Sequence, residues 1–189
     1  MDILLKVDTW LFYFGNKTLQ NPLFDYLMPF ITDKYHWFPV WGILAILLLW
    51  KGGKQGRLMV LLIIPVIILS DQISSHIIKP LVARPRPCVT LPDVHLLTNK
   101  RTSFSFPSAH ASNFFAVAMF FSYYYTKYWA GFFSVAVLVA YSRIYIGIHY
   151  PFDALAGALL GISCSLAVIY MWKFYEKKLN PIIIKKHKF

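Results

Sequence analysis

A histidine stands at the head of the longest charge-free run in the chain. Pro107-Ser108-Ala109-His110 opens a segment without Lys, Arg, Asp or Glu from Thr102 to Thr126. A second histidine, His149, precedes Asp153 by four residues and follows Arg143 by six. Upstream, Lys79, Arg84 and Arg86 fall within the stretch KPLVARPRP. Guanidinium groups suit bidentate contacts with phosphate, and lysine adds a point charge. A neutral imidazole can attack phosphorus, a protonated one can give its proton to a leaving oxygen, and a carboxylate can orient the attacking ring. Together these residue types suit phosphoryl transfer. That chemistry needs His149 neutral and His110 protonated, so their surroundings must differ. Asp153 favours positive charge on His149, whereas Lys79, Arg86 and Arg143 oppose it.

Taken singly, each piece also has a plainer reading. The cations of KPLVARPRP could snorkel at a membrane edge, with prolines after three of them holding the backbone extended. His110 could be a structural residue at a helix start, and His149 with Asp153 a helix-capping pair. Arg84 is a further candidate for a phosphate contact. Asp71, Ser75 and Lys79 recur at four-residue steps, so Asp71 either supports Lys79 or packs helices. His76 and His95 have no motif around them and read as structural.

The elements that position these residues are apolar. Tyr35 to Trp50 forms a first span, and a second runs from near Leu58 through Ser70 into DQISSHIIK. A third follows Ser108 to about Tyr125, a fourth covers Trp129 to about Ile148, and a fifth covers Pro151 to Trp172. Ser108 is a natural N-cap for the third span, which would aim unpaired N–H groups and the positive end of the helix dipole outward. Ala109 is small enough to let an anion approach that backbone. Pro151 suits the first turn of the fifth span, leaving His149 just outside it and Asp153 just within reach. Residues 1–34 read as amphipathic, interfacial pieces. Tyr123, Tyr124, Tyr125, Tyr128 and Trp129 mark the interface opposite the motifs.

Composition agrees with this reading. The chain has 189 residues, 58% of them hydrophobic and only 14% charged, where a soluble domain carries about a quarter charged residues. The expected fold is all-α, a polytopic membrane helix bundle of about five to six transmembrane helices with N-terminal interfacial helices. It forms a single domain over 1–189, with an outer-side loop at 79–106 and a basic tail at 173–189. A net charge of +11 would raise nucleic acid as a partner for a soluble protein. Here the cations sit at the ends of apolar runs, so the partner is the bilayer and no nucleic acid is expected. Lys51, Lys54 and Arg57 fall on one side with the tail lysines, and that side is cytoplasmic by the positive-inside rule. The three motifs then meet on the outer side. Cys88 and Cys164 suggest neither a disulfide framework nor a metal site, and the N-terminus lacks the pattern of a removable signal peptide.

The order Lys79-x6-Arg86-Pro87, then Pro107-Ser108-Ala109-His110, then Ser142-Arg143-x5-His149-x3-Asp153 resembles the three-part signature of the type 2 phosphatidic acid phosphatase (PAP2) superfamily, in its small bacterial membrane branch. Ala109 departs from the glycine most often found there. The resemblance implies that His149 is the nucleophile and forms a phosphohistidine, that Asp153 supports it, and that His110 protonates the leaving group. It implies that Lys79, Arg86, Ser108, Ala109 and Arg143 bind the phosphate, with no metal and no cofactor.

The expected activity is hydrolysis of a membrane lipid phosphate or pyrophosphate at the extracytoplasmic side of the inner membrane. The resemblance suggests undecaprenyl pyrophosphate, phosphatidylglycerophosphate and phosphatidate as leading candidates, and the compact stretch from Cys88 to Ser105, with little room for a recognition domain, agrees with them. The 1- or 4′-phosphate of lipid A is an alternative substrate. Transfer of the phosphoryl group to another lipid is an alternative reaction. An alternative of another class is a non-catalytic lipid-binding or transport protein, whose mark would be loss of His149 or His110; both are present.

Overall fold

The computed structural model describes residues 2–186. Its order is α1 (Asp2–Tyr13), α2 (Pro22–Thr32), α3 (Lys34–Lys51), α4 (Gly53–Gln72), α5 (Lys79–Val82), α6 (Pro87–Thr90), α7 (Ala109–Tyr124), α8 (Trp129–Tyr145) and α9 (Pro151–Lys186), with no strand among the described residues. The helix starts follow from capping chemistry. Asn21 accepts the Phe24 N–H ahead of Pro22, Asp33 accepts the Tyr35 N–H, and Ser108 accepts the Ala111 N–H. Each bond satisfies an amide of the first turn that has no intrahelical partner.

Helix α7 is the central element and packs against α4, α8 and α9. Its sequence is apolar on every side, as a helix enclosed by others should be. Phe120, Ala116 and Ala111 are fully buried along its length. Surrounding helices are apolar in both directions. On α4, Met59, Leu62 and Val66 face inward while Leu61, Ile64 and Ile68 face outward; on α9, Ala154 and Ala158 face inward while Leu155 and Leu159 face outward. Such an exterior suits lipid. The stretches Gly53–Thr90 and Pro151–Lys178 are long and apolar enough to cross a membrane.

Two glycines let α9 approach α7 at close range. A Cβ on Gly157 would stand 2.4 Å from Ser108 O, and one on Gly161 would stand 2.0 Å from Ser112 O. The GALLG sequence is thus a small-residue helix contact of the kind membrane proteins favour. It brings the start of α7, with Ser108 and His110, against the start of α9, with Asp153.

The structure corrects several sequence expectations. Lys79 and Pro80 are helical, because the wider π turn of Ile73–Ile78 just before them accommodates the missing amide of proline. The chain reverses only at Ala83, which adopts a left-handed conformation. The fourth span stops at Tyr145 instead of near Ile148, since Gly147 takes φ +87 and turns the backbone. Helix α9 continues through most of the basic tail; residues 187–189 of that expectation lie outside the described residues.

Candidate active site

The site is built where α4, α7, α8 and α9 meet the loop of residues 83–108. Lys79, Arg86, Ala109, His110, Arg143 and His149 line one cavity of about 500 Å³. The structure thus brings six of the eight expected residues to a single space. Asp153 and Ser108 lie behind it, both fully buried. Ser108 spends its side chain on the cap of α7, and its N–H donates to Asp153 O at 2.9 Å.

His149 sits in the turn between α8 and α9, which is held because Ile148 N–H and His149 N–H both donate to Arg143 O. Its Nδ1 is 3.5 Å from Asp153 Oδ2 and 3.5 Å from Ser105 Oγ. On the other edge of the ring, Arg86 Nη1 lies 3.0 Å from Nε2. Guanidinium has donors only, so Nε2 carries the lone pair and Nδ1 the proton. Burial holds the imidazole well below the ordinary histidine range, at about 3, with Arg86 and Arg143 adding to the effect and Asp153 opposing it. The ring is neutral, and its Nε2 lone pair accepts from Arg86.

Arg86 is 3% exposed and anchored at several points. Its Nε donates to Ser103 O at 2.8 Å and its Nη1 to Ile148 O at 2.9 Å. Arg143 is equally buried on α8, and its Nη1 donates to Thr32 Oγ1 on α2. Its Nε is buried with no partner among the described residues. Two guanidinium groups fixed in this way can receive an anion with little loss of side-chain entropy.

Arg84 does not line this cavity. It pairs with Asp153 Oδ1 at 2.8 Å and Asp8 Oδ2 at 2.7 Å, so this further candidate for a phosphate contact instead meets the carboxylate behind His149. Asp71 lines the cavity and accepts a hydrogen bond from Asn113 at 3.2 Å. His95 is structural, its Nε2 2.8 Å from Asp25 Oδ1. Ser105 is a site residue that sequence reasoning missed: it is fully buried and its Oγ donates to Asp153 Oδ2. No spacing rule marks it, because a nonhelical loop delivers it.

The cavity has two characters. Trp37, Trp41, Phe114 and Val117 line it beside the charged residues, and Phe114 packs against both tryptophans. A second space of about 370 Å³ shares His110, Arg143, Lys34 and Arg101 with the first and adds Thr32 and Thr98.

The charged and catalytic-type residues from Lys79 to Asp153 lie inside a region of recognisable ancestry. The model of the PAP2 superfamily matches residues 60–177. The chain belongs to the PAP2 superfamily. Among curated relatives, this PAP2 chain is 36% identical to the lipid A 4′-phosphatase of Bacteroides thetaiotaomicron over 169 residues, covering 85% of this chain and 75% of that one. Among solved structures it is similar to LpxE of Aquifex aeolicus, with a TM-score of 0.73 and 30% identity over 86% of this chain and 94% of that one. It also shares its fold with a transmembrane PAP2-type phosphatidylglycerolphosphate phosphatase from Bacillus subtilis, with a TM-score of 0.69 and 24% identity over 94% of this chain and 88% of that one. This PAP2 chain is a membrane lipid phosphatase.

Proposed function

We propose that the enzyme hydrolyses a phosphomonoester on a membrane lipid with a bulky polar head, through a phosphohistidine on His149. The observation that carries this reading is one cavity lined both by His149, Arg86 and Arg143 and by an aromatic group of Trp37, Trp41 and Phe114. Lipid chains rest on the aromatic wall while the phosphate meets the cations. His149 Nε2 attacks phosphorus as the bond to the leaving oxygen breaks, and His110 gives that oxygen a proton. Water then attacks the phosphorus, breaking the P–N bond and restoring His149, with His110 taking the water proton. Lys79, Arg86 and Arg143 stabilise the charge spread over the equatorial oxygens. Ala109 contributes its backbone, and Ser108 acts by holding the start of α7.

The adjoining space beyond His110 bears on the substrate. It starts at the proposed acid and continues between threonines and cations. A leaving group with polar bulk of its own, such as the disaccharide of lipid A, fits that layout better than a bare hydrocarbon chain. The similarity to a lipid A 4′-phosphatase supports the same choice. Undecaprenyl diphosphate is the second reading, favoured by Lys34 and Arg101, which could hold a second phosphate there.

The site faces the extracytoplasmic side of the inner membrane in this reading. Lys54 and Lys173 line one recess with Tyr124, at the end of α7 opposite His110 and about 21 Å away at 1.5 Å per residue. Those basic residues mark the cytoplasmic end.

Phosphate release from lipid A, undecaprenyl diphosphate, phosphatidylglycerophosphate and phosphatidate in mixed micelles tests the choice. The expected result is the highest kcat/KM for lipid A, with radiolabel recovered as free phosphate. Highest turnover of phosphatidate would sink the substrate assignment, and label appearing on a second lipid would make the enzyme a transferase.

A further inference from the structure

Asp8 belongs to α1, outside the residues matched by the superfamily, yet it is completely buried. Its Oδ1 accepts the Phe152 N–H at 2.8 Å in the first turn of α9. Its Oδ2 forms an ion pair with Arg84 Nη2 at 2.7 Å without hydrogen-bond geometry, whereas Arg84 Nη1 both pairs with and donates to Asp153 Oδ1 at 2.8 Å. The guanidinium also stacks on Tyr150, 3.8 Å from the ring centroid, and Phe12 of α1 packs on the same ring. Arg84 is therefore gripped on two edges and one face.

The two oxygens of Asp153 have separate duties. Oδ1 meets Arg84, whereas Oδ2 meets the Tyr150 N–H at 2.8 Å, Ser105 Oγ and His149 Nδ1. Rotating the carboxylate away from the imidazole would break the Arg84 contact. Arg84 also separates two buried carboxylates that would otherwise repel each other.

We propose that Asp8 and Arg84 are positioning residues for the reaction: through the Asp8–Arg84–Asp153 bridge, the N-terminal helix locks the carboxylate that orients His149. Neither residue touches the phosphate. This inference rests on His149 being the nucleophile, and a His149→Ala control that keeps full activity would refute that reading separately.

The test uses the full chain in detergent micelles with a lipid phosphate as substrate and inorganic phosphate as inhibitor. Asp8→Asn keeps an acceptor for Phe152 but removes the charge, and Arg84→Gln removes the bridge. Each is expected to lower kcat about 10- to 100-fold, as loss of a charged hydrogen bond does. KM and inhibition by phosphate should stay within about twofold, as for a group remote from the anion. Arg84→Lys should recover part of the loss. Adding Asp8→Asn to Arg84→Gln should raise kcat, because it removes one of two unneutralised carboxylates. Equal kcat in wild type and Asp8→Asn overturns the proposal. So do additive losses in the double variant, or a rise in KM at constant kcat. If Arg84→Gln does not fold, Asp8→Asn and Arg84→Lys still decide the point.

Discussion

Arg86 Nη1 and His149 Nε2 are 3.0 Å apart, so the arginine fixes the histidine tautomer and, in the proposed reaction, stands beside the attacking nitrogen. The same guanidinium reaches Ser103 O and Ile148 O. Lysine offers one compact ammonium and cannot span those acceptors. Arg86→Lys should lower kcat/KM about 10²- to 10³-fold, the range for losing one preorganised transition-state donor. Steady-state phosphate release measures it, and a loss below about threefold would remove Arg86 from the anion site.

His149→Ala should abolish turnover, with a drop of at least about 10³-fold from loss of the nucleophile. Acid-stable species would not report it, since phosphohistidine is acid-labile. Rapid quench at alkaline pH with ³²P-labelled lipid should trap label on wild-type protein and none on the variant. Label retained on His149→Ala would place the covalent bond elsewhere.

The depressed proton affinity of His149 gives a signed pH expectation. Its folded value of about 3 lies below the ordinary 6.5, so lowering the pH from 7 to 5 leaves the ring neutral. Nitrogen-15 NMR of histidine-labelled protein, assigned with His149→Gln, should show no protonation of this ring across that range. A midpoint near 6.5 would mean that burial does not control it.

Ser105 Oγ touches both Asp153 and Nδ1 of His149. Ser105→Ala should lower kcat about tenfold, the weight of one hydrogen bond to a charged group, with KM unchanged. A pure KM effect would instead make Ser105 a substrate contact.

What the sequence revealed depended on whether a residue's role is local. Ser108, Pro151 and the His149–Asp153 spacing declare themselves because caps and four-residue steps are fixed by helix geometry. Arg86 and Arg143 stand out by residue type at motif positions, and the structure brings both to the cavity with His149. Arg84 was misread because its partner Asp8 lies 76 positions away by the numbering, and no local rule joins them. Asp8 itself read as one polar position of an amphipathic helix. The fourth span was drawn too long because Ile144 to Ile148 is apolar, although Gly147 turns the chain there. Gly157 and Gly161 stand four residues apart, the spacing that lets one face of α9 approach α7.

Those glycines give the remaining prediction. At Gly161 a methyl group would stand 2.0 Å from Ser112 O, and the obstacle is backbone, which cannot rotate aside. Gly161→Ala must push α9 from α7, and because Ser108 and Asp153 join these same helices, the shift reaches His149. Overpacking of this kind costs about 1–3 kcal/mol, so the thermal midpoint in detergent should fall and kcat with it. Gly131 on α8 provides the contrast, since a Cβ there meets nothing within 4 Å. Gly131→Ala should be neutral or stabilising by up to about 1 kcal/mol from helix propensity alone, with activity intact. If both substitutions behave alike, close approach at Gly161 does not set the distance between the two halves of the site.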